Sequence, residues 1–401
     1  MAVVTLDDVR EAGERVGPVL RPTPAWSSKA FGDLAGRTVW CKPEHLQRTG
    51  SFKIRGAYNR IAMLGPDASG VVAASAGNHG QAVALAAALR GLTATVFMPR
   101  SAALPKMEAT RGYGAEIVTV NGTVDDAIAA ALDFAGETGQ TFVAPFDDPL
   151  VVAGQGTVGL ELAAEVPAAE VVVVPVGGGG LIAGMAVALK ALRPGITIVG
   201  VEAAGAASMR ASLDAGVCVR LPTVETMADG IALKSPCALT LNLVQSLVDD
   251  VVTVTEEEIS RAVLLLLERS KQVVEPSGAA GLAALLAGRI PGTGPAATVL
   301  SGGNVDPLLL LKLIDHGLSA AGRYLVLRVV TDDQPGALAA FTAAVADLGL
   351  NVLSVEHHRA GLALGVAQVE ILVTVETRDP AHRHEVVAAL AAAGQDVELV
   401  G

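Results

Sequence analysis

Two segments of this chain follow one pattern: VVAASAGNHGQAVALAAAL from Val71 and VVVVPVGGGGLIAGMAVAL from Val171. Each begins as a short run that is apolar at every position, passes through small residues, and leaves as a longer stretch of helical length. A strand with both faces apolar needs cover on both, which is the condition of a parallel strand between two layers of helices. TATVF (93 to 97), AEIVTV (115 to 120) and ITIVGVE (196 to 202) repeat the theme between helical stretches. The chain therefore predicts an α/β architecture in two lobes, the smaller at about residues 50 to 150.

With 51% hydrophobic and 17% charged residues among 401, the chain can bury large cores and carries no signature of disorder; its length suits two or three domains. A formal charge of -12 repels nucleic acid and anionic membranes, which favours small molecules as partners. Cys41, Cys218 and Cys237 are too few and too unevenly spaced for a disulfide framework or a CxxC metal site. They fit a reduced cytoplasm, and the start MAVVTLDDVR, with neither basic leader nor apolar core, argues against secretion. Val171 to Leu189 is uncharged over nearly a bilayer span, but Pro175 and four consecutive glycines divide it into strand, loop and helix.

Thr255 and Glu258 predict a capping box for the helix carrying Ala262 to Leu267. Near residues 315 to 323, DHGLSAAGR loses periodicity and predicts a linker. Beyond it, Tyr324 to Val330 predicts a strand, and Leu338, Phe341, Val345 and Leu348 fall at helical spacing after a Gln334-Pro335-Gly336 turn. Asn351 to His357 and Val366 to Glu376 predict two more strands, the second with Val369, Ile371, Val373 and Val375 alternating. A helix from Ala381 and a strand around Val397 complete βαββαβ, the ferredoxin-like plan, over residues 324 to 401.

Four motifs carry chemistry: SFKIRG (51 to 56), SAGNHG (75 to 80), VGGGG (176 to 180) and SGGN (301 to 304). Lys53 lies between Phe52 and an Ile54-Arg55-Gly56 turn, an apolar setting that disfavours the ammonium form and suits an imine-forming lysine; a lone lysine is otherwise an exposed structural residue. The amides from Ser75 to His79 open a helix at a strand's C-terminal end, where an amino-acid carboxylate fits. Asn78 is left free for a cofactor hydroxyl, unless Ser75 and Asn78 merely cap the helix. Gly177 to Gly180 expose consecutive amides that suit a compact phosphate ester. They match neither GxGxxG nor the P-loop, although a bare glycine run also serves as a flexible turn. Ser301 ends another strand and offers a hydroxyl to a ring nitrogen, which leaves that nitrogen largely neutral and favours β-elimination over transamination; by itself it would cap the next turn.

With these motifs in this order, residues 1 to 320 resemble the fold-type II (tryptophan synthase β-like) pyridoxal phosphate enzymes, and among them the threonine/serine dehydratases, or threonine ammonia-lyases. KPEHLQRTGSFKIRGA looks like their cofactor-lysine motif, unlike the G-S-x-K-D-R form of cysteine synthases. The resemblance implies pyridoxal 5'-phosphate as cofactor, with Lys53 as Schiff-base lysine and base, Asn78 at the 3-hydroxyl and Phe52 beside the ring. It sets Gly177, Gly178, Gly179, Gly180 and Leu181 at the phosphate, Ser301 at the pyridine nitrogen, and Ser75, Ala76, Gly77, Asn78 and His79 at the substrate carboxylate. The implied reaction turns L-threonine into 2-oxobutanoate and ammonia, and serine into pyruvate, in isoleucine biosynthesis or in catabolism. Ala76 stands where related serine racemases carry a second serine, which demotes racemisation. Some members bind a cation; Glu202 and the Ala206 carbonyl match two of its ligands, but Ser208 holds the aspartate position, so no metal is expected.

The tail from about residue 324 resembles an ACT domain, with DDQPGALA (332 to 339) in its first β-to-α turn. Such domains pair and bind amino acids, which implies an amino-acid effector, allosteric regulation and a homo-oligomer, dimer or tetramer; the bland reading is a module for oligomerisation alone. His357 and His358 face opposite sides of a strand, and His382 and His384 share no helix face, so surface or packing roles are expected for them. Competing readings are a serine-preferring dehydratase, a β-replacement synthase and a catalytically silent amino-acid sensor, the last opposed by Lys53 and Ser301.

Overall fold

The computed structural model describes residues 4–320, 322–359 and 364–400. The first three residues of the MAVVTLDDVR start, Ala321 within DHGLSAAGR, residues 360–363 and Gly401 lie outside the described residues. The chain divides into two compact units, Met1–Leu309 and Leu310–Gly401.

The first unit contains two sheets. The larger runs in the order Trp26–Ser27, Val39–Lys42, Ala296–Val299, Val171–Pro175, Thr197–Ala203, Asp250–Val254, parallel except for the first pair. The smaller is wholly parallel, in the order Glu116–Val120, Thr93–Pro99, Gly70–Ala74, Thr141–Phe142. Gly70–Ala74 and Val171–Pro175 are buried along their whole length, so their continuous apolar runs reflect cover on both faces. In the smaller lobe, Val71 and Ala73 face a core with Ile54, Ile61, Val83 and Met98, while Val72 and Ala74 face one with Phe97, Ala127 and Ala131.

Val171 to Leu189 splits into the Val171–Pro175 strand and the Gly180–Leu192 helix. That helix packs closely on Pro149–Glu165 because glycines meet there: a Cβ on Gly156 would stand 2.7 Å from the Gly184 carbonyl. Among the described residues, no helix is long and apolar enough to cross a membrane. The Thr255–Glu258 capping box forms, and its helix, Glu256–Leu265, passes into a π-helical turn at Leu266–Ser270.

The expected linker is helical in its first part, because Pro307–Ala320 continues through Asp315 to Ala320. Gly317 costs only about 1 kcal/mol against alanine, and burial of Leu313 on the same helix outweighs that preference. The second unit is an antiparallel sheet ordered Val352–His358, Gln368–Glu376, Tyr324–Asp332, Val397–Leu399, with helices Ala337–Asp347 and Pro380–Ala392. This is the βαββαβ plan. Its own core gathers Leu327, Phe341, Val345, Ile371, Val373 and Leu390. His357 and His358 lie on an exposed strand; on the last helix, His382 Nδ1 accepts the Arg378 amide and His384 bonds the Pro380 carbonyl.

Candidate active site

Val171–Pro175 and Ala296–Val299 are paired and parallel, so the segments leaving them, Gly177–Gly180 and Ser301–Asn304, emerge at one edge of the sheet. Ligand crevices in open α/β sheets form at such strand ends. Phe52 donates its amide to the Ser301 carbonyl at 3.2 Å, and Ser51 bridges Gly302, which brings Lys53 to the same edge. Lys53 does not precede a turn. It opens the Lys53–Ala62 helix, with Ile54, Arg55 and Gly56 in the first winding.

Arg55 explains why this segment is held as a helix. Its guanidinium is fully buried and donates to Glu44 at 2.7 and 2.8 Å and to Glu161 at 2.6 and 2.9 Å, a paired-fork geometry. Lys42, also buried, meets Glu161 at 2.7 Å and Glu165 at 2.8 Å. The half-buried Lys53 Nζ donates to the Pro145 carbonyl at 3.2 Å and lies 5.2 Å from the Phe52 ring centroid. Burial pushes its pKa down to about 8, against the opposing pull of Glu275.

The neighbouring residue of Pro145, Phe146, packs its ring on the glycine loop, where a Cβ at Gly178 would collide with it. Gly179 takes a left-handed φ of +85° as the N-cap of the Gly180–Leu192 helix. The first amides of that helix, including that of Leu181, have no acceptor within it. Ser301 is 4% exposed, and its hydroxyl makes no hydrogen bond among the described residues.

SAGNHG leads into the Asn78–Leu89 helix, with Gly77 as N-cap and no side-chain cap. Ser75 donates its amide to the Phe97 carbonyl at 3.0 Å and accepts the Gly77 amide on Oγ at 3.2 Å. The Ser75 amide is thus spent on the strand ladder, and the first-turn donors are those of Asn78, His79 and Gly80. Ala76 stands between them, half-buried. The buried His79 ring donates from Nε2 to the Val143 carbonyl at 2.8 Å, which leaves Nδ1 a buried acceptor with no partner among the described residues. Burial, and secondly the Lys53 charge, push its pKa down to about 3, so the ring is neutral.

The Asn78 carboxamide is not free, contrary to expectation. Its Nδ2 donates to Glu275 Oε1 at 2.7 Å, and its Oδ1 accepts from Asn304 Nδ2 at 2.7 Å. Sequence reasoning misses both Glu275 and the role of Asn304. The available signal for Glu275 is a single acidic residue inside VVEPSGAAGLAALL, just before the proline that starts the Pro276–Leu286 helix. Burial, with Asp229 adding to it, pushes the Glu275 pKa up to about 7. Asp229 pairs with Lys106 of the smaller lobe.

Glu202 is buried and accepts the Met209 and Arg210 amides at 2.8 Å each, so it caps the Ser208–Ala215 helix; burial pushes its pKa up to about 7. Among the described residues, no group of three His, Cys, Asp or Glu side chains is gathered as a metal site.

Among the described residues, a half-buried amine of lowered pKa, a helix N-terminus with unengaged amides and an unengaged serine hydroxyl therefore lie at the edge of the larger sheet, and Asn78, bonded to Glu275 and Asn304, brings a second such N-terminus to them from the smaller sheet. This donor set suits an aldehyde-bearing, phosphorylated ring. Residues 16–302 match the family described as pyridoxal-phosphate dependent enzyme. The chain belongs to that family. Its catalytic unit has the fold-type II architecture, and pyridoxal phosphate is its cofactor. Residues 325–395 match the ACT domain, so the enzyme carries one. It is 45% identical over 401 residues to an L-threonine ammonia-lyase of Thermotoga maritima, covering 100% of both chains. Among solved structures, the processed form of threonine deaminase isoform 2 from Solanum lycopersicum has a TM-score of 0.74 and 36% identity, covering 77% of this chain and 86% of that one. Maize serine racemase has a TM-score of 0.75 and 37% identity, covering 80% and 99%.

Proposed function

We propose that this enzyme is a threonine ammonia-lyase, which eliminates the β-hydroxyl of L-threonine as water and, as water then hydrolyses the resulting enamine, releases 2-oxobutanoate and ammonia under amino-acid control from the ACT domain. The observation that carries this reading is the weakly basic Lys53 amine set among unengaged anion-binding amides, in a chain similar over its full length to an enzyme named for that reaction.

Bound here, pyridoxal phosphate supplies an aldehyde that links to amines and a conjugated ring that accepts the electrons of a broken Cα–H bond. The chain's residues would bind the cofactor and substrate, orient them and move the α-proton. Gly177, Gly178, Gly179, Gly180 and Leu181 would hold the phosphate through their amides. Ser301 would donate its hydroxyl to the ring nitrogen, Asn78 would meet the 3-oxygen, and Phe52 would flank the ring. Lys53 would hold the cofactor covalently and, once displaced by substrate, take the α-proton on Nζ; an amine near pKa 8 is well matched to that task at neutral pH. The loop from Ser75 through Ala76, Gly77, Asn78 and His79 would grip the substrate carboxylate, chiefly through first-turn amides, with the neutral His79 ring contributing no positive charge of its own. Ala76 offers no acid on the opposite face, which favours elimination over racemisation.

Serine would react on the same residues to give pyruvate, since one methyl is worth only about 1 to 3 kcal/mol in a pocket. We assign residues 1–320 to catalysis, with a smaller lobe at about 50–150, and 324–401 to regulation, in a cytoplasmic homodimer or homotetramer. The test is an oxo-acid product assay with threonine and serine, each repeated with isoleucine and valine. The reading expects 2-oxobutanoate from threonine at the higher kcat/KM and a change in rate with an effector. No oxo acid from either substrate removes the assignment.

A further inference from the structure

Asn78 can present either of two edges to a ligand, a carbonyl oxygen or an NH2 group, and nothing in its own chemistry prefers one. Its neighbours do. Glu275 Oε1 stands 2.7 Å from Asn78 Nδ2, and above about pH 7, where the carboxyl is ionised, it can only accept. On the other edge, Asn304 Nδ2 stands 2.7 Å from Asn78 Oδ1 and also 2.7 Å from the Thr49 carbonyl, which likewise can only accept. The row Thr49 C=O, Asn304, Asn78, Glu275 is thus fixed at one end by a carbonyl and, once Glu275 is ionised, at the other by a carboxylate, neither of which can donate. Turning the Asn78 amide over would set oxygen against carboxylate at one end and two NH2 groups against each other at the other.

The ends themselves are built in. Thr49 is held at a φ of +61°, and neighbouring Gly50, at +70°, leaves space that a Cβ would take from Asn304, which would be 2.5 Å away. The Glu275 amide donates to the Gly302 carbonyl at 3.0 Å, and a Cβ on Gly302 would collide with the Glu275 carboxylate. Glu275 is 3% exposed, so solvent does not stand in for Asn78. After these bonds, one Asn78 N–H, one lone pair on its Oδ1 and no second orientation remain.

We propose that Glu275 and Asn304 are positioning residues that lock the Asn78 carboxamide with its N–H toward the cofactor, so that Asn78 donates to the 3-oxygen and stabilises it as an anion. This rests on the reading that Asn78 meets the 3-oxygen, and the test separates the two. Carbon–nitrogen-linked pyridoxal phosphate absorbs in the visible when the 3-oxygen is anionic and in the near ultraviolet when it is protonated. The ratio of the two bands in the holoenzyme without substrate therefore reads the lock independently of turnover.

In E275Q the side chain can donate or accept, so one end of the lock opens and only Asn304 still biases the Asn78 amide; the near-ultraviolet share is expected to rise roughly tenfold relative to the visible, the factor of one charge-assisted hydrogen bond. N304A, which removes the donor on the other edge, shifts the ratio in the same direction, and E275D, which keeps an obligate acceptor, restores part of the visible band. N78D, with no donor at all, shifts it most. A wild-type ratio in E275Q and N304A together with a shifted N78D overturns the lock and leaves the Asn78 reading standing. An unshifted N78D overturns both. Should E275Q not fold or not load, as judged by thermal unfolding and cofactor titration, N304A decides: a shift supports the lock, and a wild-type ratio overturns it.

Discussion

Lys53 sets a local stability against a chemical use. Its amine, about 8 in the fold against 10.5 when unburied, is a cost to the folded protein wherever it must remain charged. Between those two values the unfolded chain holds more protons than the folded one, so stability rises with pH across that window, and below about 8 the full penalty stands. Lys53→Met, which keeps the length and drops the charge, should therefore make the cofactor-free protein more stable near neutral pH. That advantage should shrink as pH climbs from about 8 towards 10.5. Urea unfolding of both proteins across that range checks it; a pH-independent difference contradicts it. The lysine itself was legible because SFKIRG is local and its spacing is read directly. Glu275 was not, because what makes it matter is contact with Asn78, 197 residues earlier, and burial that no local pattern reports. The Arg55 cluster escaped for the same reason: Arg55 and Glu161 are 106 residues apart.

At the scale of elements, the glycine loop is the part that backbone geometry decides. Gly179 needs a left-handed backbone, which an alanine adopts at a cost of roughly 1–2 kcal/mol. An added Cβ would also meet Met209 at 2.6 Å and Thr240 at 3.0 Å. Gly179→Ala should lower the unfolding free energy by at least about that backbone cost and weaken pyridoxal phosphate binding together, as read by denaturant unfolding and cofactor titration. Wild-type affinity in a folded Gly179→Ala protein would take the phosphate away from this loop. The strand–loop–helix units were legible because runs apolar on both faces admit few placements in an α/β chain. The Pro307–Ala320 helix was not, since Gly317 and a run of small residues hide a segment that burial of Leu313 holds.

For the whole molecule, each unit has its own core, the second around Phe341, Val345, Ile371 and Leu390. The βαββαβ order could be read ahead because alternation in Val369 to Val375 and helical spacing in Leu338 to Val345 are local signals. Removing residues 324–401 should leave turnover of threonine and abolish any response to isoleucine or valine, measured as initial rates with and without each amino acid. A truncated enzyme that still responds would move the effector site into the first unit. One covalent attachment underlies all of this chemistry. Borohydride reduction of cofactor-saturated protein, followed by peptide mass analysis, should find the pyridoxyl group on Lys53 and on no other lysine; an unmodified Lys53 in that material contradicts it.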